Sequence, residues 1–362
     1  MQASSIYAVI MAGGVGSRFW PMSRRAHPKQ FIDILGQGKT LFQLTYDRFR
    51  ALCPEENILV VTNQQYVDII REQVPSIRDH QILGEPSARN TAPCIAYAAY
   101  KIYNWNPQAV MAVLPSDHYI QDEEVFLRNM EHALGQASKH NYLITLGIKP
   151  TRPDTGYGYI QFDEDQHWEG INKVKTFTEK PDVKLARRFL ESGDFLWNAG
   201  IFVWNAQSIT EAFAKFTPEM HEAFMKNQAA LDRPDEAEAM DKVYASCPVI
   251  SIDYAIMEKA ANVYVLPADF RWSDIGTWNS LYSLSEKDAH GNVKRGKNIV
   301  ARQSHGNIIY TSQNTRVIAV NGIEDLIIVE SDGMILIADR NQEQDVRKLV
   351  NDLKAQYGEK FT

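Results

Sequence analysis

Residues 8–31 read AVIMAGGVGSRFWPMSRRAHPKQF: an apolar run, then Gly13, Gly14, Gly16 and Arg18, with Lys29 eleven residues after the arginine. A glycine turn between a buried strand and a helix can hold phosphate, because backbone N–H groups converge there with no side chain in the way. A tight structural turn would use the same glycines. Two nucleotide fingerprints are excluded, since the last glycine of the dinucleotide motif is missing and no Gly-Lys-Ser/Thr follows. The cations decide between the readings. A guanidinium fork takes phosphate oxygens two at a time and a lysine adds a point charge. Placed at the C-terminal end of a first strand, where α/β sheets bind ligands, Arg18 and Lys29 point to phosphate chemistry.

Three other stretches carry charge where chemistry could use it. Asp117 in VLPSDHYI and Asp274 in FRWSDIGTW each follow an apolar segment. Aspartates at strand ends commonly form turns, but two carboxylates converging on a triphosphate are what a six-coordinate magnesium needs. Sequence alone does not bring together two residues 157 positions apart. Glu179-Lys180-Pro181 closes VKTFTEK, either as an exposed charge pair or as a binding pair. Glu85-Pro86-Ser87-Ala88-Arg89-Asn90-Thr91 precedes a helix of small residues, where Asn90 or Thr91 would serve as N-cap. No catalytic triad is evident, and the nine histidines do not fall in metal spacings.

The elements that must position these residues alternate. SIYAVIM, NILVVT, AVMAVLPSDH and YLITLGI read as buried strands, and LFQLTYDRFRAL, TAPCIAYAAYKIY and VFLRNMEHALGQASK as helices. This alternation predicts crossover connections and a mostly parallel sheet covered on both faces. Between residues 150 and 205 short aromatic strands (GYGYIQF, VKTFTEK, LWNAGIFVW) suggest an insertion or lid built onto that core. SITEAFAKF and DRPDEAEAM return to helix. After about residue 286, KNIVAR, NIIYTS, TRVIAV, DLIIVES and GMILIAD recur roughly every ten residues, which predicts a small all-β module closed by the helix EQDVRKLVNDLKAQY. The expected domains are residues 1–286 and 287–362.

Composition bounds the partners. The chain has 362 residues, 44% apolar and 23% charged, with a net charge of −7. That balance argues against a nucleic-acid or membrane surface, which needs broad basic patches, so phosphate chemistry must rest on a few placed cations. Cys53, Cys94 and Cys247 form no CxxC pair and suit a reducing compartment. The first apolar run stops at Gly13, too short for a signal peptide or a span. A cytoplasmic location is expected.

GGVGSRFWPMSRRAHPKQF resembles the signature of sugar nucleotidylyltransferases, and Phe19-Trp20-Pro21 with Ser23-Arg24 points to their mannose-1-phosphate guanylyltransferase branch. The likeness extends through EPSARNTAPCIAYAA, LPSDH, GYGYI, FTEKP, WNAGIF, SIDYAIMEKA and WSDIGTW, in family order. It implies a Rossmann-like nucleotidyltransferase domain and a small C-terminal β domain, commonly a short left-handed β-helix. It implies GTP and mannose 1-phosphate as substrates, GDP-mannose and pyrophosphate as products, and magnesium, or manganese, on Asp117 and Asp274. Arg18, Lys29, Asp117, Lys180 and Asp274 are the implied catalytic set. Ala12, Gly13, Gly14, Gly16, Glu85, Arg89 and Asn90 lie on the nucleotide side. Lys180 would hold the sugar phosphate and Glu179, Gly158 and Asn198 the sugar. Guanine offers adjacent N1–H and N2–H donors, so we expect Glu85 to read it. Rival readings are a transferase for another sugar 1-phosphate and a silent, sugar-nucleotide-sensing subunit, although a silent subunit need not keep all five catalytic residues. A homo-oligomer, a dimer in the simplest case, is expected. The sequence stops at Thr362, short of the cupin-type isomerase domain fused to some bacterial members, so no isomerase activity is expected.

Overall fold

The computed structural model describes residues 5–312 and 315–362. They pack into two compact units. The first holds the chain up to Gly13, Thr45–Ser116 and Ile120–Trp272; the second holds Gly14–Leu44, Asp117–Tyr119 and Ser273–Thr362. The glycine loop and Asp117 are therefore counted, by packing, with the C-terminal segment.

The first unit is built on strands β1 (Ile6–Ala12), β2 (Ile58–Asn63), β3 (Ile82–Glu85), β4 (Val110–Pro115), β5 (Leu143–Ile148), β6 (Tyr159–Trp168), β7 (Ile171–Thr178), β8 (Phe195–Asn205) and β9 (Val263–Ala268). They form one nine-stranded sheet in the order β3-β2-β1-β4-β8-β5-β9-β7-β6. Pairing is parallel through β3-β2-β1-β4 and between β5 and β9. It is antiparallel where β8 meets β4 and β5, and where β7 meets β9 and β6. The aromatic strands are thus members of the sheet, β6 and β7 at its edge and β8 in its middle. β8 (FLWNAGIFVWN) is buried along almost its whole length, and a strand apolar on both faces belongs inside a covered sheet.

Helix α1 (Leu41–Phe49) is followed in this unit by α2 (Val67–Gln73), α3 (Thr91–Trp105), α4 (Glu123–Lys139), α5 (Val183–Ser192), α6 (Ala206–Phe216), α7 (Pro218–Asn227) and α8 (Glu236–Ser246). Residues Ala92 through Ile102 of α3 are all buried. Its alanines let the backbone lie close to the sheet, and the core runs from Val9, Leu59 and Val113 through Ala96 and Tyr100 to Phe213, Phe224 and Tyr244. Asn90, Asp182 and Asn205 cap α3, α5 and α6 by accepting backbone N–H bonds. Among the described residues, no helix is long and apolar enough to cross a membrane.

In the second unit, β10 (Val293–Arg295), β12 (Ile308–Thr311) and β14 (Leu326–Ser331) pair in parallel, and so do β11 (Ile299–Arg302) and β13 (Ile318–Asn321). Successive strands alternate between two sheets, which is the path of a coil stacked on itself. Val293, Ile308 and Ile327 stack in register. Asparagines join the turns: Asn292 Oδ1 accepts from Asn307 N (3.1 Å) and Nδ2 (2.9 Å), and Asn307 Oδ1 accepts from Leu326 N (2.9 Å). Strand β15 (Met334–Asp339) closes the stack antiparallel to β14. Helices α9 (Trp278–Leu284) and α10 (Val346–Tyr357) complete the unit. Phe19 and Trp20 of the glycine loop share its core with Trp278, Ile308, Ile327, Val346 and Val350.

Candidate active site

The loop after Gly13 is closed by its own backbone. Phe19 N–H donates to Gly16 O (2.9 Å), Lys29 N–H to Val15 O (3.2 Å), and Gln30 Nε2 to Gly14 O (3.1 Å). Gly14 and Gly16 have φ of +83° and +73°, where an L side chain is strained. At Gly16 space adds a second reason, since a Cβ would stand 2.6 Å from the Lys29 Cβ. The loop is also fastened within its unit: Trp20 Nε1 donates to Phe361 O (2.7 Å), Arg24 pairs with Asp332, and Arg25 pairs with Glu359.

The two spaced cations have different fates. Arg18 is exposed, and its Nε donates to Gln344 Oε1 at 3.2 Å. Lys29 is only 4% exposed. Its ammonium lies 2.6 Å from Asp117 Oδ2 and donates to the carbonyls of Asp274 (2.8 Å) and Ile275 (3.1 Å). Both expected metal-ligating aspartates therefore converge on one buried ammonium. Burial pushes the Asp117 carboxyl up, but Lys29, aided by His118, outweighs it and holds the group below the usual carboxylate range. Ile275 sits at φ +42°, a conformation that a β-branched residue adopts only when its surroundings impose it.

Asp117 and Asp274 would offer oxygen donors of the kind a hard divalent cation takes. Among the described residues no group of three or more His, Cys, Asp or Glu is assembled. Two carboxylates are what Mg²⁺ takes from a protein when water and substrate phosphates complete its octahedron. Asp274 Oδ1 accepts from Gly276 N–H at 3.1 Å, and that bond orients the carboxylate.

In the first unit, the C-terminal ends of β1, β2 and β3 lie side by side, where α/β sheets receive ligands. Ala12 ends β1, its carbonyl accepting from Thr62 Oγ1 at 2.8 Å, and Gly13 beyond it is exposed. Glu85 ends β3 and is buried, with Tyr244 Oη donating to its Oε1 at 3.1 Å. Burial pushes Glu85 up to about 7, although the Tyr244 hydrogen bond opposes the shift. Arg89 is half-buried and its carbonyl accepts from Ile250 N–H (3.2 Å). Asn90 is exposed at φ +70°, and its side chain accepts from Thr91 N–H (2.8 Å) as the N-cap of α3.

The motifs GYGYI, FTEKP and WNAGIF also meet in the first unit. Asn198 N–H donates to Gly158 O at 2.8 Å, and a Cβ on Gly158 would stand 2.5 Å from Glu179 Oε2. Gly158, Glu179 and Asn198 are thus one cluster. Lys180, at φ +47° and mostly exposed, pairs with the buried Glu179. The sequence reading missed the residues behind them. Thr145 and Asp253 bond the Asn198 amide, and Glu258 Oε1 accepts from Glu179 N–H at 3.3 Å. Asp253 could have been noticed as a carboxylate inside the apolar SIDYAIM. Thr145 and Gln344 carry no sequence signal of their own.

Comparison with known proteins fixes the family. A nucleotidyl transferase model matches residues 7–291, and a mannose-phosphate isomerase/GMP-like β-helix model matches residues 297–353. The chain is 37% identical to a mannose-1-phosphate guanylyltransferase of Escherichia coli (strain K12), over 98% of this chain and 75% of that protein. It is also 37% identical to the alginate biosynthesis protein AlgA of Pseudomonas aeruginosa, over 96% of this chain and 72% of AlgA. Its fold superposes with a TM-score of 0.87 and 32% identity on a Thermus thermophilus structure described as a mannose-1-phosphate geranyltransferase, over 97% of this chain and 99% of that one. The chain therefore belongs to the nucleotidyl transferase family, in its mannose-1-phosphate guanylyltransferase branch.

Proposed function

We propose that the chain transfers the guanylyl group of GTP to α-D-mannose 1-phosphate, giving GDP-mannose and pyrophosphate. The observation that carries this reading is the Lys29 ammonium holding the Asp117 carboxylate and the Asp274 carbonyl. It brings Lys29, the Asp117 carboxylate and the backbone of Asp274 together from three distant segments, which supports a phosphate and cation site there.

A sugar-phosphate oxygen attacks the α-phosphorus in line, and the bond to the β-bridging oxygen breaks. A phosphate monoester has a second pKa of about 6, so at neutral pH the nucleophile is mostly dianionic and needs no general base. The protein's task is alignment and charge neutralisation. In this reading Gly13, Gly14 and Gly16 offer backbone N–H groups to the triphosphate, and Arg18 and Lys29 balance charge passing to pyrophosphate. Lys180 holds the sugar phosphate, while Glu179, Gly158 and Asn198 take the sugar hydroxyls. Asp117 and Asp274 would hold Mg²⁺, or Mn²⁺ in its place, which when bound neutralises charge on the phosphates. Glu85 is the candidate reader of guanine.

Pyrophosphate release measured over four nucleoside triphosphates and several sugar 1-phosphates tests the reading. The expected maximum is at GTP with mannose 1-phosphate. A maximum at another pair would replace the substrates named here, and no release from any pair would favour a silent sensing subunit.

A further inference from the structure

The side chain of Asn198 is engaged on three sides. Its Oδ1 accepts from Thr145 Oγ1 (3.0 Å) and Gly200 N–H (3.0 Å), and its Nδ2 donates to Asp253 Oδ1 (2.9 Å). These partners fix which way the amide points. Exchanging its oxygen and nitrogen would set N–H against N–H and carbonyl against carboxylate. An asparagine has two Nδ2 hydrogens, and one of them has no partner among the described residues.

Asp253 is 9% exposed and opens a π-helical turn, Asp253–Met257, in which Glu258 N–H reaches Asp253 O at 3.0 Å. Such turns recur at functional sites. Burial and the nearby Glu179 charge push Asp253 up to about 6, so at neutral pH it is mostly ionised and accepts hydrogen bonds. A buried carboxylate placed beside another carboxylate is costly in a merely structural role.

We propose that Asp253 is a positioning residue for sugar recognition: by accepting one Nδ2 hydrogen of Asn198, it commits the other to a hydroxyl of the hexose 1-phosphate. This rests on the reading above in which Asn198 contacts the sugar. Asp253 itself does not touch substrate, and its effect on binding passes through Asn198.

The test uses the 362-residue chain and reads KM and kcat for mannose 1-phosphate and for GTP. Asp253→Leu removes the acceptor at similar size and should raise the sugar-phosphate KM about tenfold, the effect of a misdirected buried donor. The KM for GTP should stay within about twofold, because the nucleotide does not use this amide. Asp253→Asn keeps a carbonyl that can accept and should recover most of the loss. Thr145→Val, which loosens the amide from its other end, should also raise the sugar-phosphate KM. In an Asn198→Ala background, Asp253→Leu should add nothing further. An equal rise in both KM values, or an undiminished effect in the Asn198→Ala background, would overturn the proposal. A raised KM in Asn198→Ala beside unchanged values in Asp253→Leu would refute Asp253 alone. An unchanged KM in Asn198→Ala would remove the sugar role of Asn198 itself, and the proposal with it.

Discussion

The Lys29 ammonium lies 2.6 Å from Asp117 Oδ2, with the lysine buried and the aspartate side chain one-third exposed. Lys29→Met should lower turnover at least a hundredfold, the usual scale for losing a placed charge at a transition state. It should also destabilise the protein by about 1–3 kcal/mol, because Asp117 and two carbonyls lose their donor. Adding Asp117→Asn should restore stability without restoring turnover. Melting curves and pyrophosphate release on the single and double variants check both halves.

Gly16 and Gly13 should respond differently to alanine. At Gly16 a methyl group meets the Lys29 Cβ at 2.6 Å on a backbone with φ of +73°. Gly16→Ala should therefore lower stability by about 1–2 kcal/mol and slow turnover together. Around Gly13 nothing lies within 4 Å of a built Cβ. Gly13→Ala should melt like the parent and lose turnover only through the approach of phosphate to its backbone. Equal melting temperatures for Gly16→Ala and the parent would remove the packing argument.

In the proposed reading, in which Glu85 reads guanine, base choice is coupled to pH. Its carboxyl sits at about 7, and guanine needs the ionised, accepting form. The ratio of kcat/KM for GTP to that for ATP should rise between pH 6 and pH 8. Glu85→Gln should flatten the profile and cut the GTP value roughly ten- to hundredfold, since an amide donor would face a guanine donor. The stability sign is independent of ligand. A carboxyl raised above its unfolded value stabilises fully below that value and loses this contribution as pH rises through about 7. Glu85→Gln should accordingly gain melting temperature relative to the parent at pH 8 compared with pH 5. An unchanged GTP/ATP ratio in the variant would leave Glu85 as a brace for the loop.

An ion cluster around the buried Lys101 ties α3 to the start of α8. Lys101 Nζ, 2% exposed, lies 2.6 Å from both Glu236 carboxylate oxygens and 2.9 Å from Asp232 Oδ1, and Tyr97 Oη donates to Glu236 at 2.7 Å. Breaking such a cluster from one side leaves a carboxylate without its cation, so Lys101→Met should cost about 3–5 kcal/mol in urea unfolding. The KM for both substrates should stay unchanged, because none of the proposed site residues bonds to this cluster.

The sequence by itself determined what local physics controls. Gly14 and Gly16 turn left-handed as glycines do most readily, apolar runs of strand length became buried strands, and α3 had to start at Asn90 or Thr91, of which Asn90 is the cap. The β segments after residue 286 were legible as a small all-β module from their ten-residue spacing, whereas their stacking as a coil appears only in the strand pairing. Tertiary structure decided the rest. β8 reads as a short aromatic strand but lies in the middle of the sheet, since its direction and neighbours follow from crossovers and not from its own pattern. Lys29 reads as a loop cation, yet it is buried because Asp117 and Asp274 arrive from 88 and 245 residues away. Asp253 acquires a partner only where the turn carrying it packs against β8. The physical reason is common to all three: hydrophobic period and turn chemistry act over a few residues and fix conformation. Pairings between distant charged and polar groups depend on how the whole chain is threaded.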